Sequence, residues 1–362
     1  MLSVKKVLCI VRAAIRLGIT HFRLTGGEPL LHPQLDEMVS QIKKLPGVSS
    51  VSLTTNAVLL AQRTKRLKEA GIDSINVSLD TIDASEYERI TQKPLLKEVE
   101  DGIDAAIECG IRVKINAVLT PQTDVVALTR YAAKKGTDIR FIEMMPVGEG
   151  HTNGVEPYEK VIGTLSEVYG EPCCVNTENR KEINSEFNKY NEAQQTQIEQ
   201  QAKESTQTYM GRKNPDNGPA EYYIFPGLGI RVGLIQAIHG KFCDSCNRIR
   251  VTADGRLMPC LGSCVTMDLL PDSCDFTDDV EKDSVIAQAL KAAIKAKPKC
   301  HNFSDEEVLQ PESVMYNTNK NNESENAVTY TKTTGTKTVE TKATELKAAE
   351  VNAARNMSRI GG

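Results

Sequence analysis

A two-part unit repeats along the chain from Ser3 to about Gly150: a segment of helical period, then a short β-branched, apolar run. The first segment shows spacings of three and four residues at Val4, Val7, Leu8, Val11 and Ile15. The runs predicted to be strands are His21–Thr25, Val48–Thr54, Ser74–Leu79, Val113–Leu119 and Ile139–Met144. Such alternation predicts an α/β fold with parallel strands and helices outside them, as an open sheet or a barrel.

Helical stretches separate these strands at Leu35–Leu45, Gln62–Ala70, Val99–Cys109 and Val125–Lys135. A glycine follows a helix and precedes a strand at Gly18, Gly71, Gly110 and Gly136. Because a left-handed cap often ends a helix at such a position, the glycines support the predicted boundaries. Beyond the repeat, Tyr222–Arg231 and Arg248–Thr252 are predicted to be strands as well.

Composition narrows the class of protein. Hydrophobic residues make up 40% of 362 residues, which is ample for a core, and the net charge of −4 gives no broad basic surface for nucleic acid. No apolar run approaches the ~20 residues that span a membrane. The apolar stretch from Val7 to Ile19 is interrupted by Arg12 and Arg16, unlike a signal peptide. We therefore expect a cytoplasmic protein without a membrane partner.

Polar groups follow each predicted strand. The segment Thr25–Pro29, with Gly26, Gly27 and Glu28, follows the first, and its paired glycines would let a ligand approach the backbone. The other strand ends carry Thr54, Asn56, Ser78, Asp80, Lys114, Asn116, Arg140, Glu143 and Met145. Together they predict a binding site for a polar ligand. A simpler interpretation remains: a glycine turn, helix caps, and ion pairs of Arg23, Lys114 or Arg140 with Asp80 or Glu143.

Ten cysteines in a chain without a leader do not indicate a disulfide framework. The set Cys243, Cys246, Cys260 and Cys264 crowds into 22 residues. A Cys-x2-Cys pair with a later Cys is typical of zinc or of an iron–sulfur cluster, and Cys264 would complete a zinc site. Arg248 and Arg250 share a face of a predicted strand beside these cysteines, which favours a phosphate-binding site over a purely structural one.

Thr-Gly-Gly-Glu-Pro, then Phe-Cys-x2-Cys-Asn-Arg-x-Arg, Cys260 and a terminal Gly-Gly, resemble the GTP 3',8-cyclase family of molybdenum-cofactor biosynthesis. This is a radical S-adenosylmethionine family. The resemblance implies a partial (β/α) TIM-like barrel with a C-terminal β-containing extension that carries a second iron–sulfur site. The implied reaction converts GTP to (8S)-3',8-cyclo-7,8-dihydroguanosine 5'-triphosphate by way of a 5'-deoxyadenosyl radical.

The resemblance also implies roles for single residues. The S-adenosylmethionine site would include Gly26, Gly27, Glu28, Ser78 and Met145. The GTP site would include Arg23, Thr54, Lys114, Arg248 and Arg250. The ligands of a C-terminal [4Fe–4S] cluster would be Cys243, Cys246 and Cys260, and the Gly361–Gly362 tail would reach the active site. Implied partners are cyclic pyranopterin synthase, as the next enzyme of the pathway, and an electron donor; the resemblance admits a homodimer.

One departure from the family pattern bears on activity. The family holds another [4Fe–4S] cluster on Cys-x3-Cys-x2-Cys before the first helix, and this spacing does not occur in the chain. We therefore expect a cyclase sequence that lacks its first segment and cannot start the radical reaction alone. A degenerate homologue that binds GTP and a cluster without catalysis is the alternative, and a zinc-ribbon α/β binding protein is the third class.

The sequence divides into five regions. We expect the partial barrel at 1–175, a low-complexity insertion at 176–219, the cluster- and GTP-binding region at 220–310, a disordered insertion at 311–350 and the Gly-Gly tail at 351–362. The two insertions are rich in Asn, Gln, Glu, Lys and Thr and have few large apolar residues.

Overall fold

The computed structural model describes residues 2–145, 158–174, 218–262, 266–269, 280–301, 330–334 and 337–341. These residues form two compact units. One comprises the described residues within 22–43 and 50–246, and the other comprises the described residues within 2–21, 44–49 and 247–341. We call the first the sheet unit and the second the terminal unit.

The main sheet has eight strands in the order β1-β2-β3-β4-β5-β8-β7-β6. Their bounds are β1 His21–Leu24, β2 Ser50–Thr55, β3 Ser74–Ser78, β4 Arg112–Leu119, β5 Asp138–Glu143, β6 Cys173–Cys174, β7 Glu221–Ile224 and β8 Arg231–Ile235. The pairing is parallel along the series β2-β3-β4-β5-β8. Strand β7 is antiparallel to both of its neighbours, β8 and β6. The predicted α/β class is confirmed as a mostly parallel sheet.

Helices of the sheet unit alternate with its strands: α2 Leu35–Lys43, α3 Leu60–Ala70, α4 Ala84–Thr91, α5 Leu96–Glu108, α6 Val125–Lys134 and α7 Tyr158–Tyr169. Asp83 and Asp124 cap α4 and α6 by accepting hydrogen bonds from Glu86 N and Ala127 N, at 2.8 and 2.9 Å. The predicted glycine caps are confirmed, since all four have positive φ, between 62° and 90°. Among the helices that the structure describes, none is long and apolar enough to cross a bilayer.

The prediction of one strand over Tyr222–Arg231 was wrong, because the chain turns in the middle of this range. Gly227 and Gly229 have φ values of 75° and 64°, which side chains rarely adopt. They reverse the chain between β7 and β8, which pair in antiparallel register. Two glycines so soon after the apolar pair Ile224-Phe225 are a hairpin signal that the strand prediction overlooked.

The terminal unit contains α1 Val4–Arg16 and α8 Val280–Lys295, which pack against each other. A three-stranded antiparallel sheet joins β9 Arg250–Val251, β10 Arg256–Met258 and β11 Met267–Asp268. Within the range expected to be disordered, β12 Tyr330–Thr334 pairs with β13 Lys337–Thr341. Both strands are rich in threonine, which favours β-structure. The insertion expected at 176–219 lies outside the described residues up to 217.

Candidate functional site

One face of the parallel sheet is lined with polar side chains. Two registered rows cross it: Thr54, Asn76 and Lys114, and then Ser78, Asn116 and Arg140. Residues two apart on a strand share a face, so the rows lie on the same side of the sheet. The residues between the rows, Val77 and Ile115, are apolar and fully buried. Because parallel sheets usually bury apolar residues on both faces, the polar face marks the candidate site.

Arg140 is the best-defined side chain of this face. Its Nε donates to Asn116 Oδ1 at 2.9 Å, and its Nη2 donates to Asn76 Oδ1 at 2.5 Å. The residue is only 6% exposed, and both of these acceptors are neutral amides. The ion pairs proposed in the simpler interpretation, with Asp80 or Glu143, are not the contacts that orient Arg140. The amides fix the direction of the guanidinium and leave its positive charge to act on the site.

Lys114 lies beside this group and is 2% exposed. Its paired residues on the two neighbouring strands are Asn76 of β3 and Asp138 of β5. The Asp138 carboxylate accepts from Arg231 N at 3.0 Å and from Arg231 Nε at 3.1 Å. Lys114 and Arg140 are thus two buried cationic side chains on the polar face, and such a surface favours an anionic ligand.

The loop after β1 joins the same end of the sheet. Gly26 has φ of 140°, and a Cβ atom added to Gly26 or Gly27 would meet no atom within 4 Å. Glu28 is held by the chain itself: its Oε1 accepts from Leu30 N at 2.9 Å and Thr55 Oγ1 at 2.6 Å, and its Oε2 accepts from Asn56 N at 2.9 Å. These bonds fasten the loop to the end of β2. The glycine backbone is therefore open, and the Glu28 carboxylate orders the loop that presents it.

Three more predicted residues belong to this end of the sheet unit. Arg23 is exposed on β1, where its Nε donates to Ser52 Oγ at 3.2 Å. Ser78 ends β3 and is exposed, and Met145 follows β5 by two residues and is half-buried. The sheet unit thus gathers most of the residues predicted for the nucleotide and for S-adenosylmethionine at the carboxyl ends of its strands.

The cysteines predicted to bind a cluster divide between the units. Cys243 and Cys246 belong to the sheet unit, where they begin and follow a one-turn 3-10 helix, and Cys260 follows β10 in the terminal unit. All three are half-buried thiols, and none is part of a disulfide. Among the described residues no group of three His, Cys, Asp or Glu side chains is placed to hold a metal ion. The three-cysteine site therefore stays a prediction.

The remaining predicted residues lie in the terminal unit or outside the described ranges. Arg250 begins β9, and the carbonyl oxygen of Arg248 accepts from Lys297 Nζ at 3.0 Å. Gly361, Gly362 and Cys264 lie outside the described residues. Their predicted roles are not tested by the structure.

Sequence reasoning missed Asn76, which carries the hydrogen bond that aims Arg140. It also missed Gly233, where an added Cβ would stand 2.8 Å from Arg140 Cγ and 2.9 Å from Tyr222 Cε1. A usable signal was present: polar residues alternate with apolar ones in Ser74–Ser78 as they do in the neighbouring strands. In a parallel sheet this alternation indicates a face that is not covered by helices.

Asp80 offers a pH-dependent test of the strand ends. Its Oδ1 accepts from Val118 N at 2.7 Å, yet burial raises the pKa of this carboxyl above 3.8, with that backbone bond opposing the shift. Because the Asp80 carboxyl has a higher pKa in the folded than in the unfolded protein, it contributes to stability at pH values below its unfolded-state pKa. This contribution is lost as the pH rises through its folded-state pKa. Asp80→Asn is therefore expected to raise the free energy of unfolding at pH 7.5, and by less at pH 5.

Urea unfolding of both proteins at the two pH values measures this difference. An equal difference at pH 5 and 7.5 would contradict the assigned cause. Asp83→Asn is a control, because Asp83 is an exposed helix cap at a neighbouring position.

Comparison with known proteins gives the class of the chain. The Radical SAM superfamily matches residues 1–129, and Molybdenum Cofactor Synthesis C matches residues 174–303. A sheet of this kind, with polar strand ends and the Gly26–Gly27 loop, agrees with the first match. The chain therefore has the domain composition of a radical S-adenosylmethionine enzyme of molybdenum-cofactor synthesis.

Relatives named GTP 3',8-cyclase align over most of the chain. The protein of Clostridium perfringens (strain SM101 / Type A) is 30% identical over 319 residues, which cover 87% of this chain and 86% of that protein. The one from Pelotomaculum thermopropionicum is 32% identical over 309 residues, with 83% of each chain covered. The one from Mycobacterium marinum is 33% identical over 319 residues, covering 84% and 76%. The chain belongs to the GTP 3',8-cyclase family, whose radical S-adenosylmethionine class implies a [4Fe–4S] cluster and S-adenosylmethionine.

Proposed function

We propose that this protein binds GTP on the polar face of its sheet and acts as a GTP 3',8-cyclase of molybdenum-cofactor biosynthesis. The observation that carries the proposal is the pair of buried cations, Lys114 and Arg140, on a face that a parallel sheet would otherwise fill with apolar side chains. A nucleoside triphosphate supplies the negative charge that such a face favours, and it supplies polar edges for Thr54 and the amides.

Two sets of residues are the proposed GTP contacts. Arg23, Thr54 and Lys114 are the proposed contacts from the sheet unit. Arg23 and Thr54 each lie one residue before the end of their strand, and Lys114 lies in register with Asn76 on the polar face. Arg248 and Arg250 are proposed to bind the triphosphate, and their part rests on the family resemblance. Arginine suits this role because its guanidinium forms paired hydrogen bonds with phosphate oxygens.

The residues proposed for S-adenosylmethionine are Gly26, Gly27, Glu28, Ser78 and Met145. The open glycine backbone fits such a ligand, since no side chain occupies the space in front of it. Glu28 serves here as a positioning residue, because its carboxylate already accepts three hydrogen bonds from the chain. When bound and reductively cleaved, S-adenosylmethionine would supply the radical chemistry, and the protein would orient GTP and keep water away.

A C-terminal [4Fe–4S] cluster is proposed on Cys243, Cys246 and Cys260. Half-buried cysteine thiols are the donor type that such clusters prefer, so the residues fit the group. Several further points remain proposals from the resemblance: the catalytic residues, the five regions predicted along the chain, the role of the Gly361–Gly362 tail, an electron donor, the next enzyme of the pathway as a partner, and a homodimer. The tests below measure GTP binding and iron content instead of turnover, because the Cys-x3-Cys-x2-Cys motif that holds the family's other cluster does not occur in the sequence.

The triphosphate assignment is tested by replacing Arg248 and Arg250 with Ala together. Each charge-assisted contact contributes roughly 1.5–3 kcal/mol, so the double variant is expected to bind GTP at least tenfold more weakly. The measurement is calorimetric titration with GTP after anaerobic reconstitution with iron and sulfide. Arg89→Ala serves as a control, since Arg89 is exposed and pairs with Glu86 on α4. Unchanged GTP affinity in the double variant would end the assignment.

Iron analysis of the same preparations tests the cluster. About 4 Fe per chain, lost when Cys243 and Cys246 are both replaced by Ala, is the expected result. One tightly held zinc per chain would favour the zinc-ribbon class instead.

A further inference from the structure

The buried carboxylate at the end of β5 has contacts that the proposed reaction does not use. Glu143 is 6% exposed and accepts three hydrogen bonds from one short stretch of chain. Its Oε2 accepts from Ile238 N at 2.7 Å and from His239 N at 3.2 Å, and its Oε1 contacts His239 Nδ1. Because both oxygens are engaged in this way, Glu143 is a poor candidate for an acid or base in catalysis.

The stretch that Glu143 holds leads directly to two of the predicted cluster ligands. Residues 236–242, which we call the connecting loop, join β8 to the 3-10 turn Cys243–Ser245. Cys243 lies four positions after His239, and such a tether spans at most about 14 Å when extended. Fixing His239 therefore restricts the position of the Cys243 thiol.

The turn itself adds to this restriction. Cys246 N donates to Cys243 O at 3.1 Å, and Ser245 N donates to Phe242 O at 3.2 Å. These bonds make the two cysteines one local unit, so a restraint on Cys243 also acts on Cys246. The loop is tight at its middle as well, since an added Cβ on Gly240 would lie 2.8 Å from Gln236 Cβ.

We infer that Glu143 is a positioning residue for the C-terminal cluster: its carboxylate anchors the connecting loop and so places the Cys243 and Cys246 thiols. This inference rests on the proposed function, because it needs a cluster on those cysteines. A buried carboxylate is costly unless its hydrogen bonds are satisfied, and here a single loop satisfies them. Residues that orient metal ligands from behind typically change metal affinity by about 10–100-fold when they are removed.

The experiment measures how fast iron leaves the reconstituted protein to an excess of a ferrous chelator under anaerobic conditions. Glu143→Ala is expected to lose iron at least about tenfold faster than wild type. Glu143→Gln should stay near the wild-type rate, because its carboxamide oxygen can accept from both backbone N–H groups. Asp138→Asn is the matched control: it alters the other buried carboxylate of β5, which binds Arg231 and not the loop.

A second pair of variants keeps the test decisive if Glu143→Ala does not fold. The His239 side chain is 66% exposed, so His239→Ala is expected to fold and to lose iron faster than wild type, by less than Glu143→Ala. Lys241→Ala, an exposed change in the same loop, should match wild type. Wild-type rates in His239→Ala and in any folded Glu143→Ala would overturn the inference. A wild-type protein that binds no iron would instead overturn the proposed cluster.

Discussion

Lys114→Met is expected to bind GTP between ten- and about a hundredfold more weakly than wild type. Lys114 is buried on the polar face, and a charge-assisted hydrogen bond to phosphate is worth roughly 1.5–3 kcal/mol. Met has a similar length and no charge, so the substitution removes the ammonium without leaving a large cavity. Calorimetric titration with GTP under anaerobic conditions measures the change.

Lys97→Met provides the matched control. Lys97 is 76% exposed on α5, where it pairs with Asp101. Because an exposed ion pair contributes little, Lys97→Met should leave GTP affinity within about twofold of wild type. The circular dichroism of both variants checks that the sheet is retained. If Lys114→Met binds GTP as tightly as Lys97→Met, the polar face is not the nucleotide site.

Asp138→Ala is expected to lower the free energy of unfolding by about 3–5 kcal/mol. The Asp138 and Arg231 side chains are 8% and 13% exposed, and Arg231 donates to the carboxylate through its backbone and its guanidinium. Arg231 also lies over the Tyr222 ring, with 4.6 Å between the guanidinium carbon and the ring centroid. Removing the carboxylate alone leaves this arginine charged and buried without its anion.

Urea unfolding measures the loss, and two comparisons interpret it. Glu86→Ala breaks a surface pair with Arg89 and should lower the free energy of unfolding far less than Asp138→Ala does. Replacing Asp138 by Leu and Arg231 by Met together should recover much of the stability, because a packed apolar pair avoids the desolvation of both charges. An Asp138→Ala protein as stable as Glu86→Ala would show that the pair contributes little.

The order of elements was accessible from the sequence because apolar periodicity and helix-ending glycines are local signals. Strands β2 to β5 were predicted within one or two residues of their observed bounds. The hairpin at Gly227 and Gly229 was missed, because a run of aromatic and apolar residues outweighed the glycines.

The candidate site was predicted less completely than the fold. The residues at the strand ends were recognised, but their partners depend on register between strands far apart in sequence, as with Asn76 and Arg140, 64 positions apart. The sequence placed Glu28 in the predicted S-adenosylmethionine site, and only the structure shows that its carboxylate is hydrogen-bonded to Thr55 and Asn56. Spacing along the chain identifies which groups are present, and tertiary pairing decides which of them are already satisfied.

The glycine at position 233 restricts which residues can replace its two neighbours, Arg140 and Tyr222, during evolution. Gly233 lies between Arg140 and Tyr222 in adjacent registered strands, and a methyl group there would come within 3 Å of both. A lineage that gains a larger residue at 233 must first shrink one of its neighbours, because a packed interior does not absorb an added carbon freely. Positions 140, 222 and 233 are therefore expected to covary among homologues, with glycine accompanying every arginine–tyrosine combination.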